Sequence, residues 1–199
     1  DINKTALTHV YSSKEQLKHG KLERLAISSF VDEFSVQNIE AIDKESMFEM
    51  DELYDNAYLH IQLHGQYHFI YPEKSSLLLN HESEINSEDL VSMAPKQFQR
   101  LITFTSCETG AADVYKSTFG TLRNFPTVMI LMGALGVIAP LWEVNSRSTC
   151  ILMIRFYENH FIRKISPPQA LKDAQLWISE ATVEDIITYI EGHTNRTNF

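Results

Sequence analysis

The stretch "RLITFTSC", residues 100–107, is apolar at successive positions and rich in β-branched side chains. A strand of that kind offers no face to water, so it belongs in the centre of a parallel sheet covered by helices on both faces. "AYLHIQLHG" (57–65) reads as a second strand, ended by glycine, and "SSLLLN" (75–80) and "GVIAPLW" (136–142) read as a short strand and a buried strand. "LAISSFV", within 22–34, is taken as the first strand. Helical spacing fills the intervals. "KESMFEMDELYDN" (44–56) sets Met47, Met50 and Leu53 on one face, and "SEDLVSMA" (87–94) starts on a serine cap and stops before Pro95. "TFGTLRNFPTVMILMGA" is mostly helical with a break or kink at Pro126, and "SRSTCILMIRFYENHFI" (146–162) is amphipathic. "SPPQALKDAQLWISEA" (166–181) has Ser166 as its cap, and "TVEDIITYIEG" (182–192) has Thr182 and Asp185 in capping-box spacing with Gly192 as its stop. Strands alternating with helices make an α/β domain with a mostly parallel sheet. Residues 1–21 are polar without a clear period and read as a lead-in, leaving 22–199 as the one domain.

Composition narrows the function. With Lys+Arg 17 against Asp+Glu 26, the net charge of −9 argues against direct grip on nucleic acid, which needs clustered cations. Two cysteines are too few for a disulfide framework and suit a thiol-keeping cytoplasmic setting. The longest apolar run contains two prolines and two glycines and reads as a helix followed by a strand, not a membrane span. No P-loop or dinucleotide fingerprint is present.

The chemistry concentrates in two places. "YLHIQLHGQYHF" carries His60, His64 and His68 at spacings of four. On a helix that spacing makes a metal face; on a strand, His60 and His64 lie about 13 Å apart at ~3.3 Å per residue, too far for one ion to bridge. No paired cysteine or glutamate completes a zinc shell, so neither metal nor cofactor is expected. In parallel sheets, reactive groups gather at the carboxyl ends of strands. His64 stands at the end of one strand and Cys107 at the end of another. If those strands are neighbours, imidazole and thiol face one crevice, the arrangement that makes a thiolate available for attack. Gly65 and the Cys107 amide are then placed to serve as an oxyanion hole. The plainer alternative is a small buried cysteine and a hydrogen-bonded histidine. His60 reads as structural, His68 as a loop residue, and Cys150 as packing on an apolar helix.

Four blocks, in order over residues 57–180, carry a resemblance. They are "HIQLHGQYHFIYPEKSSLLLN", "ITFTSCETGAA", "MGALGVIAPLWEVNSRSTCILMIRFYENH" and "ALKDAQLWI". They resemble the H-G block, the S-x-C-E-T-G block, the G-A-x-x-V-x-x-x-L-W-x-V block and the last common segment of the CHAT family of caspase-like cysteine peptidases. The resemblance implies a caspase-like α/β fold and peptide-bond hydrolysis, with His64 as base, Cys107 as nucleophile, and Gly65 with the Cys107 amide as oxyanion hole. Two departures concern the pocket. "AADVYKSTFG" replaces the family's glycine-rich stretch after the cysteine, and Asn145 and Ser146 stand where acids are common. A preference for Arg or Lys before the scissile bond, as in the related separases, is therefore not carried over. Glu108, Glu143 and Asn145 are the candidate pocket residues, with Asp113 a further acid.

What the resemblance implies about context is wider: a protein substrate, a sensor module or regulatory partner, and a place at the C-terminus of a larger bacterial defence protein. CRISPR-associated TPR-CHAT proteases, activated by a type III effector, are one such setting. Nucleic acid would then act through the sensor and not through this acidic domain. The alternative from another class is a non-catalytic caspase-like interaction domain.

Overall fold

The computed structural model describes residues 7–12, 19–31, 35–41, 43–45, 56–66, 68, 74–80, 82–92, 100–105 and 125–194. The strands in chain order are β1 (Leu7–Tyr11), β2 (Val36–Glu40), β3 (Tyr58–Gln62), β4 (His64–Gln66), β5 (Ser76–Leu78), β6 (Glu84–Asn86), β7 (Leu101–Phe104) and β8 (Val137–Ile138). The helices are α1 (Gly20–Ser28), α2 (Ser87–Ser92), α3 (Phe125–Leu131), α4 (Ser146–Tyr157), α5 (Pro167–Glu180) and α6 (Val183–Thr194), and a π-helical turn at Glu158–Ile162 continues α4. The sequence implies one domain after a lead-in. The chain forms two compact units, one from residues 1–17 and 37–144, the other from 18–36 and 145–199.

The first unit holds a five-stranded sheet in the order β2-β1-β3-β7-β8. The pairings β1–β3, β3–β7 and β7–β8 are all parallel, as expected of an α/β fold. Every residue of β3 and of β7 is buried, which accounts for their continuous apolar character. Side chains alternate across the sheet. Val10, Leu59, Ile61, Ile102 and Phe104 point into a core shared with Leu77, Leu79 and Ile85 from β5, β6 and their turn, and with Phe125, Val128 and Met129 from α3. The opposite face sets His9, His60 and Thr103 side by side across β1, β3 and β7.

Several expectations change. The polar lead-in contains β1, whose Leu7 and Val10 are buried and whose backbone pairs with β3. The interior histidine and threonine of "LTHVY" hide its strand character by making it read as polar. "LAISSFV" is not a strand: α1 covers its first residues, burying Gly20, Glu23, Ala26 and Ile27 at helical spacing. Leu, Arg, Lys, Glu and Ala favour that helix, and the short apolar run at Leu25–Ile27 imitates a strand. "GVIAPLW" shrinks to a half-buried two-residue edge strand, because Pro140 has no N–H to extend the ladder. Leu141 and Trp142 beyond it are exposed at 64 % and 68 %.

Caps explain the helix ends. Asn86, not Ser87, caps α2: its side-chain oxygen accepts from the Glu88 and Asp89 amides, while Asp89 accepts from the Asn86 amide. Pro126 is the second residue of α3, and residues 118–124 of the same stretch, with the expected break, lie outside the described residues. Gly133 (φ 105°) ends α3, with its amide bonded to the Ile130 carbonyl and that of Ala134 to Met129, the Schellman pattern. The Thr182–Asp185 box caps α6 in both directions, and those bonds hold the Asp185 carboxyl below the usual range. Gly192 does not stop that helix. His193 in its last turn is buried against Tyr189 and Phe30, with ring centroids 4.5 and 5.4 Å away. Residues 46–55 of the acidic segment with Met47, Met50 and Leu53 lie outside the described residues, as does Pro95.

The second unit is helical. Ala170 and Ala174 are fully buried and let α5 approach α4, where the Asn159 amide donates to the Ala170 carbonyl. Arg155 pairs with Glu158 at 2.9 Å and lies over the Trp177 and Tyr189 rings at 4.8 and 5.2 Å. Tyr189 donates to the same Glu158 carboxylate at 2.9 Å. One cluster thus joins three helical segments.

Asn56, two residues before β3, donates from Nδ2 to Thr8 Oγ1 (2.6 Å) on β1 and to Gln37 Oε1 (2.9 Å) on β2. It is buried, so its amide helps hold the outer strands to the centre. Asn56→Ala should lower stability by about 1–3 kcal/mol, read as a lower urea midpoint at unchanged slope. An unmoved midpoint would show that these bonds contribute nothing.

Candidate active site

β3 does not run on to a glycine. It ends at Gln62, Leu63 inserts into the core at 1 % exposure, and the chain enters β4, which changes partners. β4 pairs antiparallel with β5, setting His64 opposite Leu78, Gly65 opposite Leu77 and Gln66 opposite Ser76. β5 pairs in turn with β6 to complete a three-stranded sheet. Leu77 and Leu79 share one core with Ile61, Leu63 and Phe104, so burial anchors the junction between the two sheets. His64 itself is half-buried, at the point where the chain passes from one sheet to the other.

β7 lies directly beside β3, with Ile61 opposite Phe104. The ladder continues one step further, the Thr105 amide donating to the Ile61 carbonyl at 3.0 Å. β3 and β7 are therefore neighbours running in the same direction. His64 follows Ile61 by three positions, and Cys107 follows Phe104 by three. Cys107, Glu108 and Asp113 lie outside the described residues.

The remaining candidates take separate places. Glu143 is exposed. Asn145 caps α4, its side-chain oxygen accepting from the Arg147 and Ser148 amides at 3.0 and 3.3 Å. The polar run before an apolar helix in "NSRSTCILMI" carries that signal, which a comparison with acids in related sequences obscures. His60 is fully buried, with Nδ1 2.8 Å from Thr103 Oγ1. His68 is exposed, and its amide donates to Ser75 Oγ. His9 and Thr103 carry no signal of their own in the sequence; they join His60 only through the strand register. Among the described residues no group of three or more His, Cys, Asp and Glu converges closely enough to hold a metal ion.

Cys150 is 1 % exposed on α4, with its thiol 3.7 Å from the His19 carbonyl. Burial first, and the nearby Glu23 carboxylate second, push its pKa well above that of an ordinary thiol. It is packing, not a nucleophile.

The family profile of the CHAT domain matches residues 8–196. The chain belongs to the CHAT domain family. That family is one of caspase-like peptidases, and the mostly parallel sheet with its helices is the corresponding α/β fold. The match begins at residue 8, within β1. No curated protein matches the sequence. Among the described residues no helix is long and apolar enough to cross a membrane.

The two thiols should separate cleanly by alkylation. In Cys107→Ala, native protein should take up almost no iodoacetamide between about pH 7 and 9, the range in which an ordinary thiol of pKa ~8.5 ionises. Its raised pKa keeps Cys150 protonated there, and uptake should appear only on unfolding in urea. Rapid labelling of the native variant, rising with pH as a free thiol does, would contradict the buried placement.

Proposed function

We propose that this CHAT domain is a cysteine endopeptidase in which Cys107 is the nucleophile and His64 the general base. The observation that carries the reading is the parallel pairing of β3 with β7, which lead at equal chain distance to His64 and Cys107. Three residues of extended chain reach about 10 Å at most, and paired strands lie about 5 Å apart. The tether therefore keeps both residues near one end of the sheet, where parallel folds put their chemistry.

The reaction follows from the two groups. His64 takes the proton from the Cys107 thiol, and the thiolate attacks the carbonyl carbon of the scissile peptide bond. The developing oxyanion is received by the Gly65 and Cys107 amides. His64 returns its proton to the leaving amine as the C–N bond breaks, which leaves a thioester on Cys107. Water, deprotonated by His64, then adds to the thioester and releases the carboxylic acid product and the thiol. No metal or cofactor takes part. Glu108, Glu143 and Asn145 are proposed for the substrate pocket.

The wider context rests on the resemblance of the four sequence blocks alone. It supports a reading in which the domain works in the cytoplasm, as the protease end of a regulated bacterial defence protein switched by a sensor module or partner. A type III CRISPR effector is one such partner.

Cys107→Ala and His64→Ala should each reduce peptide cleavage by at least the loss of about 10²–10⁴-fold typical of an acid–base group. The double variant should be no worse, because the pair acts as a unit, and EDTA should leave the wild-type rate unchanged. The measurement is cleavage of a peptide library by the full chain, with partner where one is identified. Wild-type turnover by Cys107→Ala would refute the assignment.

A further inference from the structure

In the second unit, α6 docks by a face that its sequence pattern does not single out. Its residues Val183, Ile186, Ile187 and Ile190 fall at i, i+3, i+4 and i+7, the spacing of a stripe that ordinarily faces a core. None of the four is buried. Ile186 and Ile190 are half-buried, Val183 is 67 % exposed and Ile187 49 %. The helix is held instead by Tyr189 and His193, a separate i, i+4 pair. Tyr189 packs against Trp177 with ring centroids 4.8 Å apart and donates to Glu158, while His193 sits edge-on to Phe30. At about 100° per residue, that docking edge is centred roughly a quarter turn from the aliphatic stripe. Aromatic contacts thus fix the helix and leave Val183 and Ile187 facing water.

Charge selects what can cover them. The next positions round the helix from Ile187 are Glu191 and Glu184, both exposed and two turns apart on one flank. α6 has no lysine or arginine, and its histidine is buried. A second copy packed antiparallel on this stripe would set Glu184 and Glu191 of the two chains against one another, which like charges oppose. We propose that α6 is the docking surface for an amphipathic helix of a second protein, apolar along one stripe and carrying Lys or Arg along its flank. A helix is the matching shape, because its own ridge of side chains interlocks with this one over about 18 Å. Exposed ion pairs contribute little by themselves, so Val183 and Ile187 supply affinity while the carboxylates choose the partner. The proposal does not depend on the cysteine-peptidase reading above.

The probe is a fluorescein-labelled synthetic peptide of about 18 residues, long enough to be helical, with Leu at i, i+3, i+4 and i+7 and Lys on the flanks. Its controls are the same helix with Glu in place of Lys, and a scrambled peptide of identical composition. Anisotropy titrations with the full chain should show the Lys helix binding at least about tenfold tighter than either control. Val183→Gln combined with Ile187→Gln should weaken that binding about tenfold. The urea midpoint should not move, because glutamine suits an exposed helical position at least as well. Glu184→Lys should weaken binding about fivefold and flatten its decline with salt. Equal binding of the scrambled or Glu peptide, or equal binding to the glutamine variant, would mean unspecific adhesion and overturns the proposal. So does a Lys helix that fails to bind. A wild-type chain that sediments as a dimer, dispersed by the glutamine variant, would assign the surface to a second copy. Slow alkylation of Ile187→Cys in the native chain would show the chain covering its own helix. Either result also overturns the proposal, and none of these outcomes bears on His64 or Cys107.

Discussion

The hydrogen-bonded pairing of β3 with β7 is the constraint on which the proposed site depends. Both strands are buried along their whole length and run parallel. Change their order and His64 and Cys107 would leave from separated strands, beyond the reach of a short tether. The flanking strands protect this pair. β1 covers the far side of β3 and β8 the far side of β7, so neither central strand ends at an open edge.

Most of this arrangement is legible in the sequence because the central strands are apolar on both faces. "RLITFTSC" and "YLHIQL" announce themselves, and the four blocks along the chain point to the CHAT family that the profile match establishes. What stays hidden are strands and caps whose residues have two uses. β1 escapes notice because Thr8 and His9 are polar yet buried. Their burial is possible because Asn56 reaches Thr8 and the His60 ring meets His9, contacts between segments far apart in the chain. α1 passes for a strand because a three-residue apolar run cannot report its own period. Asn145 draws attention for its lack of charge, whereas its geometry makes it a cap.

The surroundings of the proposed site are legible unevenly. His64 can be picked out by the glycine after it, but not its placement at the head of a second sheet. That depends on β5 pairing with β4 while its Leu77 and the following Leu79 sink into the common core. The Thr103 partner of the buried His60 cannot be picked out at all. A threonine in a β-rich run is ordinary until the register sets it against a histidine.

The edge strand β8 has a consequence of a different kind. Parallel sheets that end in a long, flat strand invite other chains to add on, which is how soluble proteins begin to aggregate. Here, among the described residues, Val137 and Ile138 pair with β7, and Pro140 follows closely with no donor to present. The proline that shortens this strand therefore also acts as a gatekeeper. It guards a border where the neighbouring Leu141 and Trp142 side chains would otherwise make self-association attractive.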